Sequence, residues 1–216
     1  MTQSKRVAMR NKRLQQQARN TQIMIVLGGL ILVAIAAALW MNRSPSSTAP
    51  AAGEPPMSID VNKQYFATFK MAKGGEFVVQ LYPDKAPRTV NSFVFLAREG
   101  YFNGTTFHRV LEGFMAQGGD PTGTGRGGPG YQFPNEDSDL TFDKAGVVAM
   151  ANSGRDTNGS QFFITFGPTE FLNGGYTIFG QVIEGMDVVN GITRRDPDQN
   201  PNFTGDAIES VTISEK

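Results

Sequence analysis

The 216-residue sequence predicts a mainly β fold: a closed eight-stranded antiparallel β-barrel capped by two helices and preceded by one transmembrane helix. Three observations predict it. Eight short apolar or alternating runs lie between Gln64 and Ile213, punctuated by Gly, Pro and Asn turn signals. Only two stretches among them switch to a helical period. Ahead of them all, Ile23–Met41 runs for 19 residues without a charge.

The N-terminal elements come first. Residues 1–22 form a basic tail. The first 43 residues carry seven Lys and Arg and no acidic group, and six of the seven precede the apolar run. A helix of 19 residues covers roughly 28 Å, about the hydrocarbon thickness of a bilayer. Trp40 stands at one end of residues 23–41, where an interfacial aromatic belongs. The basic flank orients the span with its N-terminus in the cytoplasm and all that follows Met41 outside. The expected location is therefore the cell membrane, single-pass, with an extracytoplasmic domain. The small residues Ala34–Ala38 also fit a signal-peptidase site, so secretion after cleavage is the alternative. Residues 42–56, NRSPSSTAPAAGEPP, read as an extended linker reaching roughly 45 Å at polyproline spacing.

The remaining residues, 57–216, form the folded domain. QYFATFKM and EFVVQL alternate and are joined by AKGG, which predicts a hairpin. In DKAPRTVNSFVFLAREG, Val90, Phe93, Val94 and Ala97 share one helical face, Pro87 suits the first turn and Gly100 the position after the last. Strands are expected at Phe107–Val110, Phe114–Gly118, Gly146–Met150, Gln161–Thr165, Thr177–Val182 and Ala207–Ile213, and a second short helix around Gly185–Thr193. A closed barrel satisfies so many short antiparallel strands without leaving edges.

Composition excludes several functions. Beyond residue 43 the chain holds 13 basic and 20 acidic groups, a poor match for nucleic acid. It has no cysteine, hence no disulfide, thiolate nucleophile or cysteine metal site. Its single histidine, His108, lacks the companions of a catalytic triad or zinc cluster and reads as a structural residue with hydrogen-bonded ring nitrogens. GTGRGG at Gly123–Gly128 matches a dinucleotide fingerprint in letters only. Pro129, Gly130 and Pro134 forbid the helix that must follow, so it reads as a surface loop whose flexibility could serve a groove.

FHRVLEGFMAQGGDPTGTG, GVVAMANSGRDTNGSQFFIT and FLNGGYTIFGQV resemble the cyclophilin family of peptidyl-prolyl cis–trans isomerases, in order, from about Tyr65 to Ile213. The resemblance implies the same barrel with two helices. It implies that Arg109 is the catalytic arginine, with Gln117 and Gln161 as matching polar groups. Phe114, Met115, Phe163 and Leu172 would form the proline pocket, and Ala151 and Asn152 the backbone segment that pairs with an extended substrate. Two positions depart from the best-known eukaryotic pattern. Phe171 stands where that pattern has Trp, which removes an indole donor and implies weak cyclosporin binding. Tyr176 stands where it has His, which changes one pocket wall. The implied substrates are proline-containing polypeptides, handled by a monomer without metal or cofactor. A binding or chaperone module with little turnover is the alternative that the resemblance leaves open.

Overall fold

The computed structural model describes residues 53–199 and 202–216. The predicted membrane span at residues 23–41 lies outside the described residues. Among those described, no helix is long and apolar enough to cross a membrane.

Eight strands form one antiparallel sheet: β1 (Tyr65–Met71), β2 (Glu76–Leu81), β3 (Arg109–Leu111), β4 (Met115–Gly118), β5 (Val147–Met150), β6 (Phe162–Thr165), β7 (Ile178–Glu184) and β8 (Ile208–Glu215). Their spatial order is β3-β4-β6-β5-β7-β2-β1-β8. The predicted closed barrel is corrected here. β3 and β8 end the sheet as edges, and the two ends meet only outside the ladders, at an isolated bridge between Thr106 and Ala207. β3 has only three residues and its free side turns to Arg195, through a bridge at Val110. It therefore cannot zip along β8. The result is a curled sheet.

The hairpin and both helices form for local reasons. Met71 N–H donates to Gly75 O at 3.0 Å across the tight β1–β2 turn. Helix α1 (Pro87–Arg98) starts with proline, whose missing N–H costs nothing in the first turn. It ends in a Schellman motif: Tyr101 N–H donates to Leu96 O and Gly100 N–H to Ala97 O, while Gly100 takes φ +69°. No residue beside α1 caps its N-terminus. Glu136, from a distant loop, does so instead. Its carboxylate accepts from Arg88 N (2.9 Å), Thr89 N (2.8 Å) and Thr89 Oγ1 (2.7 Å). Helix α2 (Met186–Asn190) contributes Val189 to the core.

Two apolar clusters use the two faces of the sheet. The larger holds Phe69, Phe77, Phe93, Phe102, Phe162 and Phe179, with Phe69 and Phe77 stacked at 4.6 Å. The smaller holds Met115, Phe142, Val147, Ala149, Phe163 and Ile178. All eight residues of β5 and β6 are buried, which is why their sequences are apolar runs rather than alternations. The chain before β1 is already docked at Glu54, within the segment read as linker. Glu54 accepts from Arg88 Nε at 2.5 Å, and the carbonyls of Pro55 and Pro56 accept from Asn91 Nδ2.

Candidate active site

The site grows from sheet register. Arg109 on β3 lies opposite Gln117 on β4, Gln117 opposite Phe163 on β6, and Phe163 opposite Ala149 on β5. These four form one row across the sheet, so their side chains share a face. Met115, two residues from Gln117, joins the same face. The row passes over the smaller cluster, which gives the site its apolar floor.

A cavity of about 200 Å³ opens on this face, lined by Arg109, Phe114, Met115, Gln117, Ala151, Asn152, Phe163, Leu172 and Tyr176. Met115 and Phe163 are buried beneath it. Tyr176 meets Phe163 edge-on, with centroids 5.4 Å apart, and Phe142 backs Phe163 in a stack. The pocket is thus rigid, apolar and sized for a small ring. Its single permanent charge is Arg109, half-buried. Nη1 of Arg109 lies 3.9 Å from Met115 Sδ, and its guanidinium carbon lies 5.9 Å from the Phe114 ring centroid. Neither soft contact neutralises the charge or uses up the donor fork.

Two sequence candidates lie outside this cavity. Gln161 stands beside it: Gln117 Nε2 donates to Gln161 Oε1 at 2.9 Å, and Gln161 Nε2 donates to Gly127 O at 2.8 Å. Phe171 is on the rim, 76% exposed, with its ring 5.6 Å from that of Phe114. In the segment expected to pair with a substrate strand, the Ala151 N–H is already taken by Gln161 O.

His108 needs a correction. It is buried as expected, but neither ring nitrogen has a hydrogen-bond partner among the described residues. Burial lowers its pKa below the ordinary 6.5, against the opposing pull of the Asp120 charge and the Thr106 backbone. Its ring lies against Gly125 and does not line the smaller cavity.

A second, larger cleft of about 730 Å³ adjoins the first and shares Ala151 and Asn152 with it. One wall is the Gly125–Gln132 loop, the other Ser153–Gln161. The loop is built around Asp120, which the sequence reading missed. Asp120 is fully buried. Its Oδ1 accepts from Thr122 N (2.7 Å) and Thr122 Oγ1 (2.8 Å), and its Oδ2 from Gly125 N (2.6 Å) and Gly127 N (3.1 Å). Burial alone would raise this carboxyl, but the four donors outweigh it and hold the pKa below 3.8. The glycines of GTGRGG therefore wrap a carboxylate: a Cβ on Gly127 would stand 2.0 Å from Asp120 Oδ1. The only signal in the sequence was the Asp that closes GGD, two residues before the first Thr of the loop.

The family model for cyclophilin type peptidyl-prolyl cis-trans isomerase/CLD matches residues 66–213. The chain belongs to this family. Its relatives among curated proteins include mouse peptidyl-prolyl cis-trans isomerase-like 1, 56% identical over 122 residues, covering 55% of this chain and 74% of the relative. The fission yeast isomerase ppi1 is 49% identical over 145 residues, covering 64% of this chain and 94% of the relative. Peptidyl-prolyl cis-trans isomerase A of Mycobacterium tuberculosis is 48% identical over 159 residues, covering 65% and 87%. A crystal structure of a Cryptosporidium parvum cyclophilin-type isomerase superposes with a TM-score of 0.65 at 34% identity, over 71% of this chain and 99% of that one. That protein was also solved in the presence of the dipeptide Ala-Pro.

This cyclophilin is a peptidyl-prolyl cis–trans isomerase acting on proline-containing peptides. The nine residues around its smaller cavity are the ones that the resemblance assigned to proline recognition and catalysis, Gln161 and Phe171 excepted.

Proposed function

We propose that this isomerase works as a membrane-anchored monomer on proteins outside the cytoplasmic membrane, with Arg109 as its catalytic residue. The observation that carries the catalytic half is a guanidinium without a counter-charge at the wall of an apolar, ring-sized pocket. Rotation about an X–Pro bond must break amide resonance, at a cost of about 18–20 kcal/mol. In the twisted state the proline nitrogen becomes pyramidal and regains a lone pair. A guanidinium N–H donated to that nitrogen stabilises the twisted state and gains little from the planar one, which is differential binding of the transition state. Arginine keeps its charge at every relevant pH and presents a rigid fork. Gln117, held by Gln161, offers an oriented polar contact for the turning peptide, while Phe114, Met115, Phe163 and Leu172 grip the ring.

No proton is moved and no covalent bond is made. A 10⁵-fold acceleration needs about 7 kcal/mol. One charged hydrogen bond in a partly dry pocket supplies a few of these, and immobilising the ring supplies the rest. The anchoring half is supported by the 19-residue apolar run and its uneven basic flanks.

The test is tetrapeptide isomerisation by the full chain. Arg109→Ala should lower kcat/KM at least 100-fold, about 3 kcal/mol. His108→Gln should cost far less. A reversal of the two effects would refute the assignment.

A further inference from the structure

Seven arginines lie among the described residues. Arg88, Arg98, Arg155 and Arg194 each pair with a carboxylate, and Arg195 donates to the carbonyls of His108 and Phe203. Two have neither a carboxylate nor a carbonyl partner for the guanidinium among the described residues: Arg109, in the proline pocket, and Arg126, in the adjoining cleft. In a domain whose formal charge is acidic, the two unpaired guanidiniums thus stand along one continuous groove.

Arg126 is placed there by construction. It sits between Gly125 and Gly127, whose N–H groups both donate to Oδ2 of the buried Asp120. Gln161 fixes Gly127 from the other side. The backbone is therefore pinned on both flanks of Arg126, while its side chain is exposed. The walls of the cleft carry no acidic residue, and besides Arg126 their polar side chains, such as Gln132, Asn152 and Gln161, are all neutral. Asp120 itself is enclosed by loop donors and does not compete for the guanidinium.

The shared wall sets the geometry. Ala151 and Asn152 border both cavities. A peptide extended along them with its proline ring in the small pocket directs alternate side chains to the same face. The residue two positions from the proline then faces the larger cleft. We propose that Arg126 is a specificity-determining residue that selects substrates with a carboxylate side chain two positions from the proline. The proposal rests on the isomerase reading above and names its substrate class. The contact is solvent-exposed, so discrimination is modest: about three- to fivefold between Glu and Gln at low ionic strength, fading with salt.

The test uses the full chain and two peptide series, with Glu, Gln or Lys placed two residues before or two residues after the proline. Ratios of kcat/KM are taken within each protein variant. One series should rank Glu above Gln above Lys. The ranking should collapse in Arg126→Gln and invert in Arg126→Glu. Equal rates for all three in both series would overturn the proposal, as would a Glu preference that survives in Arg126→Gln. If no peptide is turned over, the isomerase reading fails on its own. Dissociation constants of the same labelled peptides then decide the subsite: graded Kd values abolished by Arg126→Gln uphold it, and flat ones overturn it.

Discussion

Replacing Asp120 with asparagine keeps its shape and removes its charge, which isolates the role of the carboxylate under the Gly125–Gln132 loop. Each oxygen now accepts two bonds, Oδ1 from the Thr122 N–H and hydroxyl, Oδ2 from the Gly125 and Gly127 N–H groups. An amide has one oxygen, so its NH₂ must face one of these pairs. Turned toward Thr122 it does least harm, because the hydroxyl can reverse and accept, yet the Thr122 N–H still meets a donor. A hydrogen bond to a charged group contributes about 1.5–3 kcal/mol, and a buried N–H left unpaired costs about 1–3 kcal/mol more. Allowing for relaxation, Asp120→Asn should destabilise by about 3 kcal/mol, or roughly 6–12 °C in Tm for a domain of this size. The assay is calorimetry at several pH values. The folded pKa of Asp120 lies below its ordinary 3.8, so its contribution is present above that value and is lost as pH falls through the folded pKa. The gap between wild type and variant should be full at neutral pH and should narrow in strong acid. A gap under about 1 °C at neutral pH, or one that ignores acidification, would refute the reasoning. Gly127→Ala should do comparable damage by a different route, because its Cβ collides with Asp120 Oδ1.

Four further outcomes are expected. Glu136→Ala should lose the long-range cap on α1 and about 1–2 kcal/mol, read by urea denaturation. His108 has a folded pKa below 6.5, so the unfolded chain binds its proton first and stability falls as pH drops below about 6.5; His108→Gln should flatten that slope in denaturation curves. Phe171→Trp should tighten cyclosporin only about fivefold, near 1 kcal/mol, because a side chain on this exposed rim keeps much of its hydration, and an unchanged inhibition constant would refute the link to the indole donor. For topology, single cysteines at Ser4 and at Ser47 in the cysteine-free chain should label differently in intact cells with an impermeant thiol reagent, Ser47→Cys promptly and Ser4→Cys only after lysis; the reverse pattern would invert the proposed orientation.

Local patterns carried most of the fold. Val90, Phe93, Val94 and Ala97 face the core because their spacing dictates one buried stripe, and Gly100 ends α1 because a left-handed residue is needed there. Barrel closure was not legible, because it depends on whether two edge strands meet. Three residues of β3 turned toward Arg195 decide that, not any periodicity. The proline pocket was legible only through long motifs. Its members come from three strands and three connecting segments, and hydrophobic spacing alone gives no reason for Phe163 and Leu172 to share a cavity.

The polar scaffold was the least legible part, and the reason is physical. Glu136 and Asp120 act on backbone N–H groups, which every residue owns, so their partners leave no imprint in the sequence. What does leave an imprint is the space they need. Gly127 follows Arg126 because the Asp120 carboxylate lies where a side chain would go, and Gly125 precedes it at φ +80°, a conformation that side chains disfavour. A glycine-rich loop that reads as flexible is thus a rigid wrap around one buried charge. It stands on the larger cleft, joined through Gln161 and Gln117 to the row that carries Arg109. One chain of hydrogen bonds therefore runs from the loop to Gln117, the register partner of Arg109. Loosening Asp120 disturbs both walls of the groove together, which a floppy loop could not do.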